Sequence, residues 1–172
     1  GVKIPLSHES MLPDVAVLDP NYTRTLPPAV IANTGMDVLT HAIEAFVSPA
    51  ANDFTDMYAA EAVRLCLENL SALYTDAAPS SPRGRMHSAS TMAGIAFTNA
   101  GLGLCHGIAH TVGAMFHLPH GKANAVILPY VMLFNAGLGK CRGQGVPGRY
   151  AALALRTGFS GPSEPQLCRQ LI

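Results

Sequence analysis

The chain has no tryptophan, and aromatic residues make up only 6% of its 172 positions, so stacking platforms for nucleic-acid bases are scarce. Charged residues reach only 13%, and eleven Lys and Arg are balanced by eleven Asp and Glu, with no basic run anywhere. Neither a nucleic acid nor an anionic membrane surface is expected as a partner. No stretch approaches the roughly 18 uninterrupted apolar residues of a membrane span. The first residues, Gly1 to Pro5, carry no charged leader with an apolar stretch behind it, so no signal peptide is expected either. The four cysteines, Cys66, Cys105, Cys141 and Cys168, form no Cys-x-x-Cys pair, which argues against a zinc ribbon or a redox motif and for a reducing cytoplasm. Internal repeats are also lacking.

What the chain does have is apolar surface. At 49% hydrophobic residues it is richer than an average globular domain and long enough for one modest core, with a small molecule as the natural substrate. Its patterning is helical. Residues Pro27 to Val47 read as two helical pieces broken near Asn33, Thr34 and Gly35, with Thr34 as N-cap of the second. Asp53 to Leu73 forms an amphipathic helix with Met57, Ala60, Val63, Leu67 and Leu70 at roughly helical spacing. Residues 76–84 make a turn-rich connector, Arg85 to Ala100 a closely packed helix, and Gly101 and Gly103 end it. His106 to Phe116 and Ala123 to Ala136 follow as helices, which leaves His120 on a loop between Pro119 and Gly121. Gly137 to Gly148 reads as flexible or turn, and Arg149 to Thr157 as a short helix. The sole strand expected is Asp14 to Leu18, closed by Asp19 and Pro20. The fold class is thus mostly α, a bundle of about six or seven helices.

Two clusters carry chemistry. Asp37 and His41 are four positions apart, so on a helix they project from one face and one divalent cation can touch both. His106 and His110 repeat that spacing, and His120 follows in an otherwise apolar stretch; at most two of these three imidazoles are needed to complete a metal site. A lone helical histidine is more often a packed or surface residue. Four or five imidazoles and carboxylates in so polar-poor a chain call for a cation or a tight hydrogen-bond network, because burying them without a partner is costly.

The stretches Thr34 to Phe46 and Ala93 to His110, continuing through Pro119 to Ala125, resemble the two signatures of the iron-containing (group III) alcohol dehydrogenases. Asp19, Pro20, Thr23, Leu26 and Pro27 are similar to the family's turn ahead of its first metal-binding helix. The likeness runs from about residue 10 to residue 136. It implies the C-terminal metal-binding domain of the dehydroquinate synthase-like fold: residues 1–27 as a remnant or linker from a nucleotide-binding domain, and residues 28–172 as a helical catalytic domain incomplete at its C-terminus. It further implies Asp37, His41, His106 and His120 as metal ligands, with His110 near the substrate and free for proton transfer. Phe97 and Leu26 are implied on the cofactor side.

The resemblance implies Fe(II), although three imidazoles and one carboxylate also suit Zn(II). The cation's charge favours the deprotonated alcohol, from which a hydride passes to the nicotinamide of NAD. His110 relays the alcohol proton towards solvent. Glu44, three residues past His41, is a candidate to orient a ligand from behind, a surface or helix-pairing role being its plain alternative. No Gly-rich phosphate loop follows a strand in this sequence, so NAD is expected to be held by a separate N-terminal domain, and the chain alone to hold metal without turnover. A homo-oligomer acting on small primary alcohols or aldehydes is expected. Two other classes stay open: a metal-dependent hydrolase with Glu44 as base, and an inert truncated helical module.

Overall fold

The computed structural model describes residues 6, 8–11, 13–75, 80–140 and 146–172. Among the described residues there are seven α-helices: α1 Pro28–Val47, α2 Asp53–Thr75, α3 Ser80–Ala100, α4 Leu104–Phe116, α5 His120–Asn135, α6 Pro147–Arg156 and α7 Glu164–Leu171. Helices α1, α2 and α3 pack against one another, α5 lies against both α1 and α4, and α6 pairs with α7 while touching α1 and α2. Among the described residues no single helix is long and apolar enough to cross a membrane.

Small residues set how closely these helices approach. Ala42, Ala45, Ala59, Ala62, Ala89 and Ala96 are completely buried, interleaved with Phe46, Val63 and Leu153. Interaxial distance depends on the side chains at the contact, so a seam of alanines brings backbones together. Gly35 allows a similar approach between α1 and α2: a Cβ there would fall 2.3 Å from Leu70 Cδ1.

That contact corrects the expected break in α1. The helix runs unbroken from Pro28 to Val47, and Thr34 caps nothing; its Oγ1 donates back to the carbonyl of Val30, one turn earlier. Gly35 is there for packing, and tertiary contact overrides its low helix propensity. The expected strand is also absent among the described residues: Val15 and Val17 are 75% and 80% exposed in irregular chain, with no second strand to pair with. On α2, Ala60 and Val63 of the expected stripe are buried and Leu70 packs against the core, but Met57 and Leu67 face outward while Ala59, Cys66 and Leu73 face inward. Helix α3 starts at Ser80, earlier than expected, and α7 was not anticipated. Part of the Gly137 to Gly148 segment, with Cys141, lies outside the described residues, and Pro147 and Gly148 open α6.

Two turns aim the helices that matter most. After α3, Gly101 adopts φ 81° and the chain bends by 107° into α4. At the other end of α4, His117 takes a left-handed conformation, φ 53°, with its N–H on the Gly113 carbonyl, a common way to stop a helix. Leu118 and Pro119 then lead directly into α5, whose first residue is His120. His120 is therefore helical, not on a loop.

Candidate metal centre

Helix α1 brings Asp37, His41 and Glu44 to one face, as their spacing dictates. Helix α4 presents His106 and His110, and α5 presents His120 and, one turn later, Asn124. Asp37, His41 and His106 each offer a ligand atom within 4.8 Å of the other two. Asp37 Oδ1 is 3.6 Å from His106 Nε2 and 3.5 Å from His120 Nε2. Ligand atoms about 2.1 Å from one ion at tetrahedral angles are separated by roughly 3.4 Å, so the two Asp37–histidine separations suit a first-row divalent cation.

The rings are stacked as well as converged. His41 lies between Phe97, at 4.5 Å and 21° between planes, and His106, at 4.4 Å and 24°. His110 stacks on His120 with centroids 5.0 Å apart and meets His106 edge-on at 6.0 Å. His110 is thus beside the cluster without belonging to its mutual core. Leu26 stands elsewhere: with Thr23, Val38, Leu70, Met86 and His87 it lines a cavity of about 300 Å³ to which none of the four ligand candidates contributes.

Glu44 does more than was expected of it. It is only 3% exposed, and its Oε1 accepts from the Cys105 N–H at 2.6 Å while its Oε2 meets His106 Nδ1 at 2.6 Å. It therefore caps the N-terminus of α4, where unpaired N–H groups and the helix dipole favour an anion. The same carboxylate fixes the His106 ring so that Nε2 faces Asp37. A side chain at Gly103 would collide with it, since a Cβ there would lie 2.9 Å from Glu44 Oε1.

The electrostatics follow from this layout. Burial works against ionisation of Glu44, but the His106 hydrogen bond and the N–H groups of Cys105 and Gly103 outweigh it and hold the carboxyl below its usual range. Asp37 is likewise held low: burial opposes this and is overcome by His106, His41, Asn124 and His120. His106 loses from burial and gains more from hydrogen bonds to Asp37 and Glu44, which push it up to about 9. His41 goes the other way, down to about 4, chiefly because burial disfavours its charged form, with His106 and His120 adding to the effect against the pull of Asp37. A neutral imidazole with a lone pair to offer is what a metal requires.

Sequence reasoning missed Asn124. It is completely buried, and its Nδ2 lies 2.7 Å from Asp37 Oδ1, 3.2 Å from His106 Nε2 and 3.3 Å from His120 Nε2. The available signal was its position four residues after His120 on the same helical face.

Comparison with known proteins gives the family. The family described as "Fe-containing alcohol dehydrogenase family, C-terminal" matches residues 31–169. The 1-propanol dehydrogenase of Salmonella typhimurium is 50% identical over 159 residues, covering 92% of this chain and 42% of that protein. The NADPH-dependent butanol dehydrogenase of Clostridium saccharobutylicum is 43% identical over 171 residues, covering 99% of this chain and again 42% of the relative. Among solved structures, the iron-containing alcohol dehydrogenase of Thermococcus thioreducens superposes with a TM-score of 0.84 at 41% identity, over 95% of this chain and 41% of that one. The chain thus spans about two fifths of the length of these relatives. It belongs to the iron-containing alcohol dehydrogenase family, and its helices correspond to the C-terminal part of that family.

Proposed function

We propose that this chain is the metal-holding catalytic part of an alcohol dehydrogenase that moves a hydride between a small primary alcohol or aldehyde and NAD. The observation that supports this most is the approach of Asp37 Oδ1 to both His106 Nε2 and His120 Nε2 at separations suited to one ion, with His41 alongside. Asp37, His41, His106 and His120 would hold the cation, Fe(II) by preference and Zn(II) as a substitute. When bound, such an ion supplies Lewis acidity at the substrate oxygen.

The remaining roles belong to side chains. Asp37 brings the one negative charge of the ligand set, and Glu44 holds His106 in the tautomer whose Nε2 faces it. His110, half-buried against His120, carries the alcohol proton towards solvent. Phe97 backs His41 and gives the site an apolar wall; Phe97 and, from the separate cavity, Leu26 are assigned to the cofactor. The butanol dehydrogenase named above uses NADPH, so the test of NAD includes NADP as its comparison. A hydrolytic reading loses its base, because both Glu44 oxygens are engaged by His106 and the start of α4.

Two experiments test the proposal. Titration of the chain with Fe(II), Co(II) or Zn(II) should show one ion bound per chain, abolished by Asp37→Ala; no retained ion would sink the reading. The chain alone is expected to give no turnover, since hydride transfer requires both partners held in contact. Residues 28–172 exchanged into the Salmonella typhimurium 1-propanol dehydrogenase should therefore sustain propanol-dependent NAD reduction. A chimera that folds and binds metal but only hydrolyses esters would overturn it.

A further inference from the structure

Asn124 stands at the point where the proposed ligands converge, and none of the roles above uses it. Its carboxamide is completely buried on α5, and its nitrogen donates to Asp37 Oδ1 at 2.7 Å while lying 3.2 Å from His106 Nε2 and 3.3 Å from His120 Nε2. An amide NH2 has two hydrogens to give, so with one on Asp37 only one remains for the imidazoles beside it. The oxygen of the same amide is 3.6 Å from Cys105 Sγ, as is the Asn124 carbonyl, and this pins the side chain against the start of α4. The orientation is set by charge: turned over, the amide would place its oxygen against the Asp37 carboxylate.

Resting on the metal-site reading above, we propose that Asn124 is a positioning residue that competes with the cation: its N–H groups gather the ligands, and the ion must displace them to bind. The Asp37 Oδ1 that takes the Asn124 N–H, and the His106 and His120 Nε2 atoms beside it, are the atoms a cation would use. N–H groups aimed at that point repel a positive ion, so the two interactions are exchanged and not added. Metal binding is in this way coupled to the α5 side chain that also touches Cys105. The amide holds Asp37 Oδ1 beside the two Nε2 atoms, ligand atoms from three helices, until the exchange occurs.

The test is the Co(II) dissociation constant, measured by competition and by the visible absorption of the bound ion, for the whole chain and its variants. Asn124→Ala removes the competitor and is expected to tighten Co(II) binding about tenfold, the net worth of roughly one lost hydrogen bond on the metal-free side. The melting temperature should fall more without metal than with it. Asn124→Ser, with one hydroxyl hydrogen, should change both in the same direction by less, and it decides the matter if the alanine variant does not fold. Asn124→Asp replaces the donors with a carboxylate and should tighten binding beyond either. If wild type binds Co(II) and the variants bind it equally or more weakly, the competition is refuted while the metal site stands. If wild type binds none, the underlying reading fails first.

Discussion

Two buried charged clusters draw on helix α1, and they differ in how their groups are arranged. Around Arg149 of α6 the guanidinium meets the nearly buried Asp56 carboxylate of α2 at two points, 2.8 and 2.5 Å. Its other contacts go to the Phe46 carbonyl, and the Phe46 ring lies 4.2 Å from its central carbon. One cation, one anion and one carbonyl satisfy each other. Around Asp37 the arrangement differs: one carboxylate, two imidazole nitrogens and one amide converge from three helices, with His41 beside them. A closed pair holds helices together, whereas a carboxylate and imidazoles converging on one point prepare a place for a cation.

Removing the carboxylate from each cluster separates the two most sharply. Asp37→Ala should weaken Co(II) binding more than the hundredfold typical of losing an outer partner, or more than about 3 kcal/mol. It should also lower the urea stability of the metal-free protein, because the hydrogen bonds and charges that hold the Asp37 carboxyl below its usual range are lost. Asp56→Ala should act on stability alone. Leaving the Arg149 charge without its partner costs about 3 kcal/mol, the low end for a buried pair because the arginine side chain is 36% exposed. Metal affinity should not move. If Asp56→Ala weakened Co(II) binding as strongly as Asp37→Ala, the distinction between the clusters would be lost.

Glu44 lies between the two types, since it is a structural cap and a ligand's partner at once. Glu44→Gln keeps the shape but removes the charge that holds His106, and should weaken metal binding by about 10- to 100-fold. Stability should fall by about 1 kcal/mol through the weakened cap on α4. Equal metal affinity in Glu44→Gln and wild type would reduce Glu44 to a cap.

The ligand candidates were legible because helical spacing is rigid: residues four apart share a face whatever the tertiary fold, so Asp37 with His41 declared itself from the sequence. The extent of α1 was not legible. Thr34 and Gly35 look like a helix boundary by local propensity, and only the Leu70 side chain of α2 explains why a glycine sits mid-helix. Asn124 escaped for a related reason. An asparagine one turn past His120 is unremarkable until α1 and α4 are placed against α5, since its partners lie 87 and 18 residues away in sequence. Strand pairing at Asp14 to Leu18 failed because alternation reports a two-sided environment and says nothing of whether a partner strand lies within reach.

Two glycines sharpen the same point about fold and site. Gly121, next to His120, lies so close to α1 that a Cβ would fall 1.8 Å from the Asn33 carbonyl oxygen. Backbone cannot step aside as a side chain can, so Gly121→Ala should cost about 2 kcal/mol and push His120 from its place, lowering metal affinity as well. Gly35→Ala meets the Leu70 side chain, from Cδ1 at 2.3 Å to Cγ at 3.1 Å, which can turn as backbone cannot, and the alanine regains up to about 1 kcal/mol of helix propensity. Its net change in stability should stay within about 1 kcal/mol, with metal affinity unchanged. Urea unfolding and Co(II) titration of both variants test this, and equal effects at the two positions would show that α5 is not held against α1 as closely as the geometry requires.

The smallest effect concerns a thiol on the packing side of the molecule. Cys66 of α2 is 2% exposed, and burial alone pushes its thiol from an ordinary value near 9 up to about 12. Cys105, beside the metal ligands, also reaches about 12, but there burial is joined by the charges of Glu44 and Asp37. For Cys66 the sign is fixed: the folded state keeps the proton longer than the unfolded chain does. Its contribution is intact below pH about 9 and is lost as pH rises towards 12, at up to about 1.4 kcal/mol per pH unit. Cys66→Ala should lower stability at neutral pH through lost packing, yet decline less steeply above pH 9, by up to one proton's worth of slope. Cys105, Cys168 and Tyr150 also have raised values, so some alkaline slope should persist in the variant. Urea midpoints measured from pH 7 to 11 decide it, and parallel curves for the two proteins would mean that Cys66 is exposed to solvent before the rest of the core unfolds.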